Sequence, residues 1–327
     1  MGDVAMTVPV LRALVAQHPN LKITVLTRPF YEAFFSDIPN TSVHVADVKG
    51  KYNGVLGLRK LSNELKELNI DAIADLHNVL RTKILKLFLR TIPFEQINKG
   101  RKEKKALTSG KIFHQLPTTH QRYAKVFQEL GYAIDLSTPV FPPKCQLSNK
   151  SQSFIKPAEV NIGIAPFAAF EGKTYPIERM EKVIKGLNKD YNVILFGGGK
   201  QEASQLQQIA DDYRNVTSIA GKLELKEELD IISNLNLMIS MDSGNAHIAA
   251  MLGVKVITIW GVTHPFAGFM PFAQDPENAL LADREKFPKI PTSVYGKNYP
   301  NGYEKAIETI TPEEILSKVR VLLTSVS

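Results

Sequence analysis

Short apolar runs alternate with stretches of helical spacing along most of this chain, and that alternation is what most limits its fold. Residues 21–26, 43–45 and 72–76 read as buried strands, and residues 4–17, 31–35, 57–68 and 82–89 read as helices around them. Strands separated by helical segments imply βαβ units and a parallel sheet. A second series begins with a strand at 160–164. It continues with helices at 177–187, 201–213 and 225–233 and strands at 191–196, 237–240 and 254–259. Between the two series, residues 141–158 are rich in Pro, Ser and polar side chains, which marks a boundary. The expectation is therefore two α/β domains, 1–150 and 151–327. A last helix starts at Thr311-Pro312, with Thr as cap and Pro at the first helical position. A sheet of this kind normally opens with a strand feeding its first helix. This chain opens directly on a turn and helix at Met1-Gly2-Asp3-Val4, so the first strand is expected to be missing.

Composition narrows the class. Charged residues make up 22% and hydrophobic ones 44% of the 327 positions, as in ordinary globular proteins. Cys145 is the only cysteine, which rules out an intrachain disulfide and a cysteine zinc cluster. No apolar run approaches the roughly 20 residues that span a bilayer. No charged segment followed by a long apolar one stands at the start, so the cytoplasm is the expected compartment. Charge is uneven: residues 1–150 hold 22 Lys and Arg against 12 Asp and Glu, the remainder 18 against 21. The basic half points to an anionic partner. It lacks interleaved aromatics or a known nucleic-acid motif, so nucleic acid is not the expected one.

The most informative local stretch runs from Met241 through Asp242-Ser243-Gly244-Asn245-Ala246-His247 to Gly253, between two apolar strands. It reads as strand, polar turn, short helix, strand. A helix start at the carboxyl end of a parallel strand binds anions through free amides and is where open α/β sheets take ligands. The plainer reading is a capped helix, with Asp242 or Ser243 as N-cap. Other strand ends carry polar turns as well. One runs from Ala165-Pro166 through Ala168-Ala169 to Lys173-Thr174-Tyr175-Pro176, and another is Gly197-Gly198-Gly199-Lys200-Gln201-Glu202. Lys173 is suited to neutralising a phosphate, although on its own it reads better as a solvated loop lysine, and Glu202 is suited to accepting hydrogen bonds from ribose hydroxyls. The glycine run lacks both the dinucleotide fingerprint and the Gly-Lys-Ser/Thr ending. Gly261-Val262-Thr263-His264-Pro265 belongs to the same edge, and His264 reads best as a turn residue. His247 has no second histidine at metal-ligand spacing, so no metal site is expected. In the first half, residues 99–105 form a dense basic run that reads as a solvated loop. His77, Asn78, Arg81 and Lys83 follow a strand end, and Arg122 is a further polar candidate.

Taken together in order, these segments resemble glycosyltransferase family 9, the heptosyltransferases of lipopolysaccharide inner-core synthesis. The resemblance lies in Gly2-Asp3 with Pro9 and Leu11, in Lys173-Thr174-Tyr175-Pro176-Ile177-Glu178, in Ala220-Gly221 with Leu225 and Glu228-Leu229, and in Asp242-Ser243-Gly244 with His247. It implies a GT-B fold, two Rossmann-like domains facing across a cleft, with the last helix, 311–327, packing back on the first domain. It also implies transfer of a heptose or related sugar, with inversion and without a metal or other cofactor, from ADP-heptose to an anionic lipopolysaccharide core or lipid acceptor. That acceptor would lie at the cytoplasmic face of the inner membrane. By the same resemblance, Asp3 would be the general base. Lys173, Glu202, Asp242, Ser243, Gly244, Asn245 and His247 would hold the donor, and Arg81, Lys83 and Arg122 would meet the acceptor. Where some members carry paired threonines this chain has Ala168-Ala169, leaving backbone amides for that contact. The alternative is a nucleotide-sugar-binding protein with little transferase activity, because the first strand is missing.

Overall fold

The computed structural model describes residues 1–324 and divides into two compact units. Most of the first unit comes from residues 3–100 and 117–141. Its chain runs through α1 (Gly2–Ala5), α2 (Thr7–Gln17), β1 (Ile23–Thr27), β2 (Thr41–Val45), α3 (Gly54–Glu67), β3 (Ile73–Asp75), α4 (Leu80–Phe88) and β4 (Phe94–Gln96). After α5 (Arg101–Thr108) it resumes with α6 (Thr119–Glu129). β1 pairs in parallel with β2, and β3 in parallel with β4, as two separate two-stranded sheets. The α3 and α4 helices pack side by side, burying Leu58, Leu61, Leu65, Leu85 and Leu89 in one cluster.

The segment Arg101–Leu116 assorts with the second unit, as does everything from Pro142 onward. The basic run expected to be a solvated loop is in fact the α5 helix. Its Leu107 is buried with Leu116 and Ala267, and the Lys104 ammonium lies 4.0 Å from the Phe269 ring centre. A long lysine side chain buries its stem while its charge meets an aromatic face, so a charged run does not prevent docking.

The remaining elements of the second unit are α7 (Asn149–Gln152), β5 (Asn161–Ala165), α8 (Ile177–Leu187), β6 (Asn192–Leu195), α9 (Gly199–Asp211), β7 (Val216–Ser218), α10 (Leu225–Ser233), β8 (Leu237–Met241), α11 (Gly244–Met251), β9 (Lys255–Trp260), β10 (Ala279–Leu281) and α12 (Pro312–Thr324). Six parallel strands form one sheet in the order β10-β9-β8-β5-β6-β7. Every residue of β5, β6 and β8 is buried, which is why these strands are continuous apolar runs rather than alternating ones. The α8 helix buries Met180, Val183, Ile184 and Leu187, spaced as one helical face demands. The last helix packs on α8, with Ile315 and Val319 in the core of the second unit. Positions 325–327 of that expected helix lie outside the described residues. Among the described residues, no helix is long and apolar enough to cross a membrane.

The strand order reverses between β5 and β8: β6 and β7 extend the sheet to one side of β5, while β8, β9 and β10 extend it to the other. In open α/β sheets the crevice at such a reversal, outside the carboxyl ends of the strands, is where ligands bind.

Candidate functional site

The turns that follow β5, β8 and β9 meet at that crevice. After β5 the chain reaches a short 3-10 turn, Glu171–Lys173, and after β8 it gives Asp242 and Ser243 before α11. The Gly172 carbonyl accepts the Val262 amide at 3.0 Å, tying the β5 turn to the β9 turn. A Cβ on Gly261 would stand 2.4 Å from that same carbonyl, so glycine is what lets the two backbones touch.

Lys173 and Asp242 come together in this junction. Lys173 Nζ lies 3.0 Å from Asp242 Oδ2, and the side chains are 14% and 7% exposed. Thr263 Oγ1 donates to the same carboxylate oxygen at 2.9 Å. Asp242 therefore holds the lysine in place. An ammonium carries three N–H donors, so donors remain on Lys173 for an anion. Gly296 has φ +79, and a Cβ built on it would lie 2.4 Å from Lys173 Cγ and 2.5 Å from Cδ. The lysine stem runs directly beneath this backbone. Thr263 and Gly296 are the residues that sequence reasoning missed: the turn holding Thr263 was placed at the right edge, but nothing local ties position 296 to position 173.

The capped-helix reading of the Asp242-Ser243 turn is not what forms. Ser243 is the N-cap of α11, yet its side chain makes no capping hydrogen bond and instead meets Ser240 Oγ at 3.1 Å. Asp242 is engaged with Lys173 and Thr263. The first turn of α11 is thus left without a side-chain cap, with Ser243, Gly244 and Asn245 half-buried around it. One turn in, His247 is buried and its Nδ1 has no hydrogen-bond partner. An unpartnered buried ring nitrogen, uncapped helix amides and a lysine ammonium are the chemistry that suits an anionic or polar ligand. Burial first, and then the charge of Lys173, push the His247 pKa down to about 3, so the ring is neutral near neutrality.

Glu202 sits elsewhere in the expected scheme. Its Oε2 accepts the Gly198 amide at 2.7 Å and closes the turn between β6 and α9. His264 is a turn residue, its Nδ1 accepting the Phe266 amide at 3.2 Å. Among the described residues, no group of three or more His, Cys, Asp or Glu side chains could hold a metal ion.

In the first unit, Asp3 is exposed in the first turn of α1, and the Tyr123 hydroxyl donates to the Asp3 carbonyl at 3.2 Å. Tyr123, another residue the sequence did not single out, has its hydroxyl pKa raised by burial and then by the Asp3 charge. Asp75 at the end of β3 accepts the His77 and Asn78 amides, each at 2.9 Å, and shapes the turn into α4. The His77 pKa is held low, first by protein atoms packed around the ring and then by Lys99, while Asp3 and Asp75 pull the other way. Arg81 also acts on this ring, which puts it in the same group, and Lys83 is exposed on α4. Arg122 is buried. Its Nε donates to the Pro117 carbonyl and its Nη1 to the Asn98 carbonyl, both at 3.2 Å, with Gly100 packed against the guanidinium. Those bonds make it a brace of the first unit.

The buried groups of the second unit have a consequence for stability. Burial, with Arg284 adding to it, brings His264 down to about 4, and burial lifts Glu228 to about 7. Below about pH 6.5 the unfolded chain takes up protons at both histidines that the folded chain refuses, which costs about 1.4 kcal/mol per pH unit for each. The folded Glu228 carboxyl takes up a proton ahead of its unfolded counterpart and offsets about half of this. The net loss between pH 7 and pH 5 is about 2 kcal/mol. Melting curves of the His247→Asn/His264→Asn variant should show the opposite trend, with stability rising on acidification. A wild-type chain equally stable at both pH values would contradict the assignment.

Comparison with known proteins gives the family and the fold. The family model of glycosyltransferase family 9 (heptosyltransferase) matches residues 58–297. The chain is similar to lipopolysaccharide heptosyltransferase 2 of Salmonella typhimurium, 24% identical over 345 residues, covering 99% of this chain and 96% of that protein. A solved family 9 glycosyltransferase from Veillonella parvula superposes with a TM-score of 0.77 at 21% identity, covering 99% of this chain and 95% of that one. The E. coli ADP-heptose lps heptosyltransferase II superposes at 0.69 and 20% identity, covering 99% and 96%. The two α/β units are those of the GT-B fold. The chain belongs to glycosyltransferase family 9, the heptosyltransferase family, and is a glycosyltransferase.

Proposed function

We propose that this chain transfers a heptose from ADP-heptose to an anionic glycolipid of the lipopolysaccharide core, with inversion at the anomeric carbon, working at the cytoplasmic face of the inner membrane. The observation that carries the donor half is the uncapped start of α11, with the buried, unpartnered His247 Nδ1 beside the Lys173–Asp242 pair. In this reading the α11 amides and Lys173 take the diphosphate, whose charge grows as the bond to the anomeric carbon breaks. His247, neutral and with Nδ1 protonated, donates to an oxygen of the donor. Ser243, Gly244 and Asn245 supply the backbone around it. Glu202 keeps its turn in shape and meets the nucleoside only through its second oxygen.

Asp3 is assigned the role of general base. The acceptor hydroxyl oxygen forms a bond to the anomeric carbon, its proton passes to Asp3, and ADP leaves with the electrons of the broken bond. Arg81, grouped with His77 near Asp3, is the first candidate for an anionic group of the acceptor, with Lys83 further along α4. The basic balance of residues 1–150 supports an anionic acceptor on this unit.

Calorimetric titration with ADP-heptose, followed by mass spectrometry of the products with a lipopolysaccharide-core acceptor, tests the reading. Binding of ADP-heptose and an acceptor heavier by one heptose are expected. Absence of ADP-heptose binding would remove the donor assignment. Binding without any product would favour the nucleotide-sugar-binding alternative.

A further inference from the structure

Two adjacent helices of the first unit turn leucines outward. In α3, Leu58, Leu61 and Leu65 face the core, which leaves Leu56 on the opposite side, 83% exposed, with Val55 beside it at 57%. In α4, Leu85 faces inward, while Leu80 and Leu87 are 74% and 73% exposed. Seven residues apart, they lie one above the other on the outer face, with Lys83 between them. Soluble surfaces carry scattered exposed leucines, but a group on two packed helices calls for a partner.

The charge around them is mostly basic. Arg59, Lys60, Arg81, Lys83, Lys86 and Arg90 are all exposed on or just beyond these helices. No Asp or Glu occurs between positions 76 and 93. The acids of the pair are Glu64 and Glu67 on α3, and Glu64 is engaged by Lys51 and by the Tyr52 hydroxyl. Each basic residue held near an anionic bilayer is attracted to it, while exposed leucines gain only where there is an apolar layer to enter. A polyanion such as RNA would use the charges and leave the leucines in water.

We propose that the outer face of α3 and α4 docks the first unit on an anionic lipid surface, with Leu56, Leu80 and Leu87 entering the acyl boundary and Arg59, Lys60, Lys86 and Arg90 meeting lipid phosphates. It rests on the reading that the acceptor is carried by a membrane, and it names the face that meets that membrane.

Flotation of the full chain with vesicles of phosphatidylethanolamine and phosphatidylglycerol tests this. The wild-type chain floats with these vesicles, floats less as salt rises, and stays behind with phosphatidylcholine alone. Leu80→Ser/Leu87→Ser, at exposed positions, lowers partitioning by about tenfold or more, since two leucines leave the apolar layer. Lys60→Glu/Arg90→Glu does the same by charge. Both variants keep the wild-type melting temperature and ADP-heptose affinity. The proposal fails if the leucine variant floats as the wild type does, or if the wild type binds RNA and no vesicles. Loss of ADP-heptose binding in the wild-type chain would instead count against the donor reading and leave the flotation result standing.

Discussion

Replacing Asp3 by Asn should lower turnover by about 10²–10⁴-fold, the range a positioned general base contributes, while ADP-heptose still binds. Asparagine keeps the shape of the side chain and cannot take the acceptor's proton. The substitution leaves the tether intact, because Tyr123 bonds to the Asp3 carbonyl and not to its carboxylate. The side chain is exposed, so the melting temperature should not move. Single-turnover formation of the heptosylated acceptor, followed by mass spectrometry, gives the rate directly. A variant that turns over within about threefold of the wild type would end the assignment of Asp3 as base.

The second large effect is expected at Lys173. Removing its ammonium should weaken ADP-heptose binding by about 10²-fold, as expected when one partner of a buried, hydrogen-bonded charge pair is truncated. The single change Lys173→Met also strands the Asp242 carboxylate in a site where it is 7% exposed, and an unpaired buried charge is destabilising by itself. The double variant Lys173→Met/Asp242→Asn removes both charges, and Asn can still accept from Thr263. It should recover most of the melting temperature and none of the donor affinity. Should the double variant bind ADP-heptose as tightly as the wild type, Lys173 is a structural lysine.

Some of this was readable in the chain, and the reasons are specific. The α8 helix falls where the spacing of Met180, Val183, Ile184 and Leu187 puts it, because a buried helical face leaves a period in the sequence. The strands β4, β7 and β10 were missed: each is three residues long, and β3, equally short, was legible only within the longer run 72–76. In the site, Lys173 and Asp242 were legible as polar residues at strand ends, and the strand order puts those ends side by side. That the two residues bind each other, with Thr263 and Gly296 as walls, is a matter of tertiary contact with no local sequence signature. Arg122 shows the converse. An arginine in a basic half looks available for an anion, but its guanidinium is held by the Pro117 and Asn98 carbonyls.

The path of Arg101–Leu116 decides how the gene can be cut. A fragment ending near position 150 would carry Leu107, Phe113 and Leu116 without Ala267 and Phe266, against which they pack. The complementary fragment would expose the other side of the same cluster. Each half would thus carry apolar surface that the intact chain buries. The boundary is crossed by the polypeptide more than once, so the second unit is assembled from noncontiguous coding sequence.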